Sequence, residues 1–421
     1  MTNFCGLDFG TSNSTIGIWS NDQARLSSVE DNKLTIPSAL FFDDESNEIS
    51  FGRKAIFEYI DGAEGRLMRA LKSVLGNSLI HETTRVANKS LTFQEILGHF
   101  IKHLKTQAEN TLQENIDHVV LGRPVFFVDN DPLADKSAQD VLEKVTRQQG
   151  FKSVHFQYEP VAAALTYELS VTSEEIALII DIGGGTSDFS VIRVSPKGAE
   201  KQDRFDDILS NTGVHIGGTD FDTLLSLEKV MPHFGYKTMM KNTFGDKTLE
   251  VPSRFFHDLA TWQKINFLYT YKTTNFIKDI KQTALQPVLF DRLLCILKNK
   301  QGHRLAMETE KAKIGLTDRD EILLNMDFIE QSLVPKITRN DFQNAISGKI
   351  ETLKQTIENA LTMAQITALD IDTVFLTGGS TASPLLRQEL LGVIPNARVI
   401  EGDRFGSIGV GLTLEAQRRY R

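Results

Sequence analysis

The chain opens by alternating in the manner of a strand from Phe4 to Phe9 and breaks at the small residues Gly10-Thr11-Ser12-Asn13-Ser14. It resumes as a strand through Thr15-Ile16-Gly17-Ile18-Trp19, which predicts a hairpin. The pattern recurs at Ile176 to Asp181, turns through Gly183-Gly184-Gly185-Thr186-Ser187-Asp188 and continues as Phe189 to Val194. Both turns carry Asp-x-Gly and then Thr-Ser, and their aspartates, Asp8 and Asp181, stand 173 positions apart in 421. Internal duplication is the economical reading. Between the hairpins Phe93 to Leu112 is amphipathic at helical period, Asp117 to Leu121 is strand-like and Leu133 to Gln149 is helical again, an α/β alternation. A third strand, Asp372 to Thr377, runs into Gly378-Gly379-Ser380, with Pro384 placed to open a helix. The stretch before it, Thr338 to Leu369, is the longest predicted helix, and Arg66, Arg69 and Lys72 are assigned to another. From about 226 to 300 the chain is aromatic-rich and poorly periodic, and its elements are not assigned.

Glycine in such turns lets backbone N–H groups approach phosphate oxygens, and threonine hydroxyls add donors. An aspartate at the mouth of each turn suits Mg²⁺, which prefers oxygen ligands and keeps much of its water. A single copy is as well explained by an ordinary glycine-capped hairpin, but two copies half a chain apart are not. No G-x-x-x-x-G-K-[ST] loop occurs, and Gly406-Ser407-Ile408-Gly409-Val410-Gly411 lacks the dinucleotide-binding order, so close packing of a helix on a strand is its expected role. His99 and His103 stand four apart without the intervening glutamate of a zinc helix.

At 421 residues two lobes are expected, and a formal charge of −9 argues against a partner chosen by long-range attraction to nucleic acid or an anionic membrane. Cys5 and Cys295 have no metal or disulfide spacing, the start has no basic-then-apolar leader pattern, and a cytoplasmic location is the expectation.

Gly6-Leu7-Asp8-Phe9-Gly10-Thr11-Ser12-Asn13-Ser14 resembles the first phosphate loop of the heat-shock-protein-70 (DnaK-type) chaperones, and Asp181 to Asp188 resembles the second. Leu71-Lys72-Ser73-Val74-Leu75-Gly76 is similar to the stretch bearing that family's catalytic lysine, and Glu159-Pro160-Val161-Ala162-Ala163-Ala164 to its connecting signature. Gly217-Gly218-Thr219-Asp220-Phe221-Asp222, Glu310-x-x-Lys313 and Phe375 to Ser380 follow in family order. The resemblance implies the actin-like ATPase fold: two duplicated ribonuclease-H-like lobes around a nucleotide cleft, lobe I over 1–174 completed by a helix at 403–421, and lobe II over 175–402. It implies ATP/ADP and Mg²⁺ as ligands and hydrolysis of ATP to ADP and phosphate. Lys72, Glu159, Asp188 and Thr186 would be catalytic, with Asp8 and Asp181 on the metal. Gly10, Thr11, Ser12, Asn13, Gly183, Gly184, Gly185, Thr186, Gly217, Gly218, Gly378, Gly379 and Ser380 would hold the nucleotide, with Glu310, Lys313 and Thr317 on the adenosine side. The ending at Arg421 suggests the YegD-like branch, without the β-sandwich peptide-binding domain and its lid.

Three departures qualify this picture. Ile314 and Ala382 stand where the family has two arginines that sandwich the adenine; Asp222 to Glu310 covers 88 positions, which implies an added element; and Pro124 matches the family's switch proline without a counterpart of its partner arginine. A protein partner or co-chaperone is expected, and nucleic acid and membrane are not. A non-hydrolysing nucleotide sensor or scaffold and an actin-like filament former are the alternatives.

Overall fold

A computed structural model describes residues 3–86, 89–199, 201, 204–242 and 247–421. Residues 243–246 of the aromatic-rich stretch therefore lie outside the described residues. The chain divides into two compact units, one of Met1–Gly218, Glu351–Ala382 and Leu386–Arg421, the other of Thr219–Ile350 and Ser383–Leu385.

Two sheets organise the first unit. In one the order is Ser153–Tyr158, His118–Arg123, Phe4–Phe9, Asn13–Ser20 and Gln23–Leu26, with the short strand Ile36–Pro37 also paired to Asn13–Ser20. In the other it is Arg398–Glu401, Thr373–Thr377, Glu175–Ile182, Ser187–Val194 and Ile208–Val214. Read in these orders, both run parallel, parallel, antiparallel, antiparallel. Each has a glycine-rich hairpin at its centre. The central strands are buried over their whole length or nearly so, which is why Ala177 to Ile180 reads as a continuous apolar run.

The helices Glu159–Glu168 and Ser407–Tyr420 share one core with residues of both sheets, including Phe4, Val120, Ala177, Ile179 and Phe375. Ser407–Tyr420 packs on the first sheet and on Glu159–Glu168. Their approach is close enough that a Cβ on Gly411 would strike the Ala162 carbonyl, and one on Gly409 the Thr15 hydroxyl. The Gly406 to Gly411 cluster is thus a packing device, as expected. On the other side of the first sheet, Phe93–Leu112 buries Ile96, Leu97, Phe100, Ile101 and Leu104, a stripe at i, i+3 and i+4 spacing. Its start is set by a capping box between Thr92 and Glu95. Asp131 and Pro132 open the next helix, Pro132–Gln148.

Two expectations need correction. Arg66 and Arg69 belong to the strand Gly65–Arg69 and Lys72 to the short 3₁₀ turn Leu71–Val74, so the three share no helical face. The longest helix is Arg339–Ala364, shorter than the stretch to Leu369, because Gln365 takes a left-handed φ of 58° and Ala368–Asp370 forms a separate turn.

The second unit contains the helices Arg254–Ala260, Tyr271–Thr283, Pro287–Lys298 and Gly302–Gly315, and the ribbons Met239–Lys241/Thr248–Glu250 and Glu321–Leu323/Lys336–Thr338. Phe234, Phe255, Phe256, Trp262 and Phe290 are buried there, whereas Phe267, Tyr271 and Phe276 are exposed. The aromatic stretch is thus divided between core and surface.

Candidate functional site

The two glycine-rich turns meet within the first unit. A Cβ on Gly184 would run into the Ser12 side chain, and one on Gly185 into Thr11 Oγ1. Only glycine tolerates so close an approach. The first turn is held from behind by Ser38, whose hydroxyl donates to the Gly10 carbonyl at 2.7 Å and whose N–H donates to the Ser12 carbonyl at 2.9 Å. In the second, the Gly183 N–H donates to the Thr186 carbonyl at 3.0 Å. Gly217 packs on Gly184 and Gly185, and the Gly218 N–H donates to the Gly183 carbonyl at 2.9 Å. Gly378 has φ +80° and lies against the Asp181 carboxylate, while the Ser380 hydroxyl donates to the Gly183 carbonyl at 3.2 Å. Thus Thr11, Ser12, Gly183, Gly184, Gly185, Gly217, Gly218, Gly378 and Ser380 come together. Asn13 begins the second strand of its hairpin, paired with Pro37.

Asp8 and Asp181 lie near the ends of the central strands, and Asp188 is the direct cross-strand partner of Asp181. Ala70, with a left-handed φ of 56°, turns the chain from Gly65–Arg69 into the Leu71–Val74 turn, where Lys72 is only 6% exposed. Its ammonium pairs with Glu159, itself 6% exposed and the first residue of its helix. Glu159 is therefore more than an acid complementing a helix dipole. It is joined to Lys72 across 87 positions of sequence.

Four buried carboxylates around one lysine are an excess of negative charge. Burial and then the Glu159 charge push Asp8 up to about 7, against the pull of Lys72. Burial, Glu159, Asp188 and Asp8 together hold Asp181 well above the usual carboxylate range. Asp188 is also pushed to about 7 by burial and Glu159, although the Val125 N–H and Thr186 oppose it. Burial favours a neutral Lys72, but Glu159, Asp8 and Asp188 outweigh it and raise its pKa. Asp181 Oδ1 is buried without a hydrogen-bond partner. Among the described residues no three His, Cys, Asp or Glu side chains are grouped to ligate one ion directly. The acid cluster fits a cation that keeps its water shell, as Mg²⁺ does.

His99 is exposed and meets the Phe42 ring edge-on, and His103 stacks on Phe51 at 4.2 Å. Both are ring contacts. In the second unit Lys313 pairs with Asp222 at 2.8 Å, and Arg339 donates to the Leu316 and Thr317 carbonyls at 3.0 and 3.4 Å. Glu310 is half-buried and Ile314 is 58% exposed on the same helix. Ser38, Arg123 and Asp135 are additions that sequence reasoning missed. A charged residue closing the apolar run His118 to Arg123 was the available signal for Arg123.

The chain matches the family described as Hsp70 protein over residues 4–246 and 294–401, and it belongs to that family. Membership implies the actin-like ATPase fold, with which the mixed α/β sheets agree. Relatives include chaperone protein DnaK of Mycoplasmopsis synoviae, 25% identical over 97% of this chain and 57% of the relative, and chaperone protein DnaK of Thermosipho melanesiensis, 27% identical over 98% and 58%. The chain thus spans somewhat more than half the length of these relatives. The stretch between the two matched parts, 247–293, falls inside the aromatic-rich segment. No helix among the described residues is long and apolar enough to cross a membrane.

Proposed function

We propose that the chain binds ATP with Mg²⁺ and hydrolyses it to ADP and phosphate as a cytoplasmic, chaperone-related protein. The observation that carries this reading is the meeting of two glycine-rich turns beside four buried carboxylates and one buried lysine. A polyphosphate needs backbone N–H groups and room, and its metal needs carboxylates, and both lie in one place. Thr11, Ser12, Asn13, Thr186 and the amides near Gly10, Gly184, Gly185, Gly217, Gly379 and Ser380 would hold the phosphates. Asp8 and Asp181 would hold the hydrated metal, which when bound neutralises charge on the phosphate oxygens.

Lys72 and Glu159 would position the attacking water, with Asp188 as a further acceptor for its proton. Positioning supplies most of the acceleration in this chemistry. Glu310, Lys313 and Thr317 are proposed for the adenosine on the family resemblance. The matching strand order of the two sheets supports duplicated ribonuclease-H-like lobes, with lobe I over 1–174 and 403–421 and lobe II over 175–402. Capture of unfolded peptide and work with a co-chaperone belong to the proposal only as functions of a larger assembly.

Single-turnover hydrolysis of bound ATP, with and without Mg²⁺, tests the reading. Magnesium-dependent phosphate release without an added acceptor is expected. Tight binding with no release would favour the sensor or scaffold, and ATP-dependent pelleting that rises with protein concentration would favour a filament former.

A further inference from the structure

Asp188 stands on the second sheet, yet its Oδ1 accepts a hydrogen bond at 2.7 Å from the backbone of the segment that leaves the first sheet, the Val125 N–H. The segment that carries this amide is bonded to Arg123. This residue ends the strand His118–Arg123 and is 8% exposed. Its Nε donates to the Pro124 carbonyl at 3.0 Å and its Nη2 to the Val125 carbonyl at 3.0 Å. The same Nη2 reaches both carboxylate oxygens of Asp135, at 3.0 and 2.8 Å, and Nη1 donates to Gln139. Asp135 in turn accepts from the Phe127 N–H at 2.6 Å. The guanidinium also lies over the Phe127 and Tyr158 rings, at 5.0 and 5.3 Å.

A buried guanidinium placed this way cannot move without releasing two carbonyls and a carboxylate, so it sets the backbone from Pro124 to Phe127 as a rigid piece. We propose that Arg123, anchored by Asp135, is a positioning residue that holds the Val125 N–H on Asp188 and so fixes the side of that carboxylate left for the reacting groups. The inference rests on the ATPase reading for its consequence, but the anchoring itself does not. Lysine at 123 keeps the charge and loses the planar fork, which is what the anchoring uses.

Expected for Arg123→Lys, and for Asp135→Asn, is a fall in kcat of about 10- to 100-fold with KM changed little, as for misplacement of a catalytic group. Combined with Asp188→Asn, either substitution should slow turnover no further than Asp188→Asn alone, because it acts through the same group. Hydrogen exchange supplies a second readout. The Val125 amide should be protected in the wild type, and its exchange should quicken in Arg123→Lys, Asp135→Asn and Asp188→Asn. Losses that multiply with Asp188→Asn, or a Val125 amide indifferent to Arg123→Lys and Asp135→Asn, would overturn the proposal. If Arg123→Lys fails to fold, Asp135→Asn carries the same comparison. If the wild type turns over no ATP, the ATPase reading has failed and the exchange measurement alone decides the anchoring.

Discussion

Lys72 is the residue on which the catalytic proposal bears most directly. Its ammonium is buried against Glu159, and on the proposed role Lys72→Ala removes an interaction made mainly in the transition state rather than in ground-state binding. Hydrolysis should slow by orders of magnitude while ATP affinity stays within about tenfold. Single-turnover rates set beside calorimetry check this, and equal losses in both would make Lys72 a binding residue. The acids around it predict a pH dependence. Asp8 and Asp188 titrate at about 7 in the folded protein, against roughly 4 in the unfolded chain. Folding therefore takes up protons between those values, and the stability these groups contribute is fully present below about 4 and lost as pH rises through about 7. Urea unfolding without nucleotide should show a lower midpoint at pH 8 than at pH 5, and Asp8→Asn or Asp188→Asn should flatten the difference. A wild-type midpoint that rises over that interval would contradict the assignment.

Among the elements, the two hairpins were legible because turns that meet as closely as Gly184 with Ser12 and Gly185 with Thr11 tolerate few residue types, and Asp-x-Gly with Thr-Ser shows at both places. The helices Phe93–Leu112 and Pro132–Gln148 were legible because each buries one side only. The Lys72 turn was not. Arg66, Arg69 and Lys72 fall at helical spacing by coincidence, and the left-handed Ala70 that breaks the run carries no sequence mark. Nor was the segment around Arg254–Ala260, where short helices and ribbons bury aromatics against one another without a period. The meeting of Glu159 with Lys72 is long-range and had to come from the resemblance or the structure. Packing of the two central helices gives a test at this scale. Gly411→Ala puts a methyl group against the Ala162 carbonyl, and such overpacking costs typically about 1–3 kcal/mol. A melting temperature lowered by several degrees is expected, and an unchanged one would mean that the two helices separate easily.

For the whole molecule, family membership and the proposed phosphate site concern the first unit most strongly, whereas Glu310, Lys313 and Ile314, which the resemblance puts beside the base, belong to the second. Ile314 stands on the helix Gly302–Gly315, four positions after Glu310 and 58% exposed, so an arginine there can be accommodated without disturbing the core. Neither it nor Ala382 can stack on a base as a guanidinium does. One such contact contributes about 0.5–2 kcal/mol. Phosphates and metal should therefore supply a larger share of affinity than in a site with both arginines, and ATP and GTP should bind with similar strength. Ile314→Arg should tighten ATP by about twofold to thirtyfold while leaving inorganic triphosphate unchanged, and adding Ala382→Arg should increase the gap. Calorimetry with ATP, GTP and triphosphate on the wild type and both variants reads this directly. If the variants gain nothing for ATP over triphosphate, the base is not held near these positions. The aromatic-rich segment, with Phe267, Tyr271 and Phe276 exposed, then becomes the place to look.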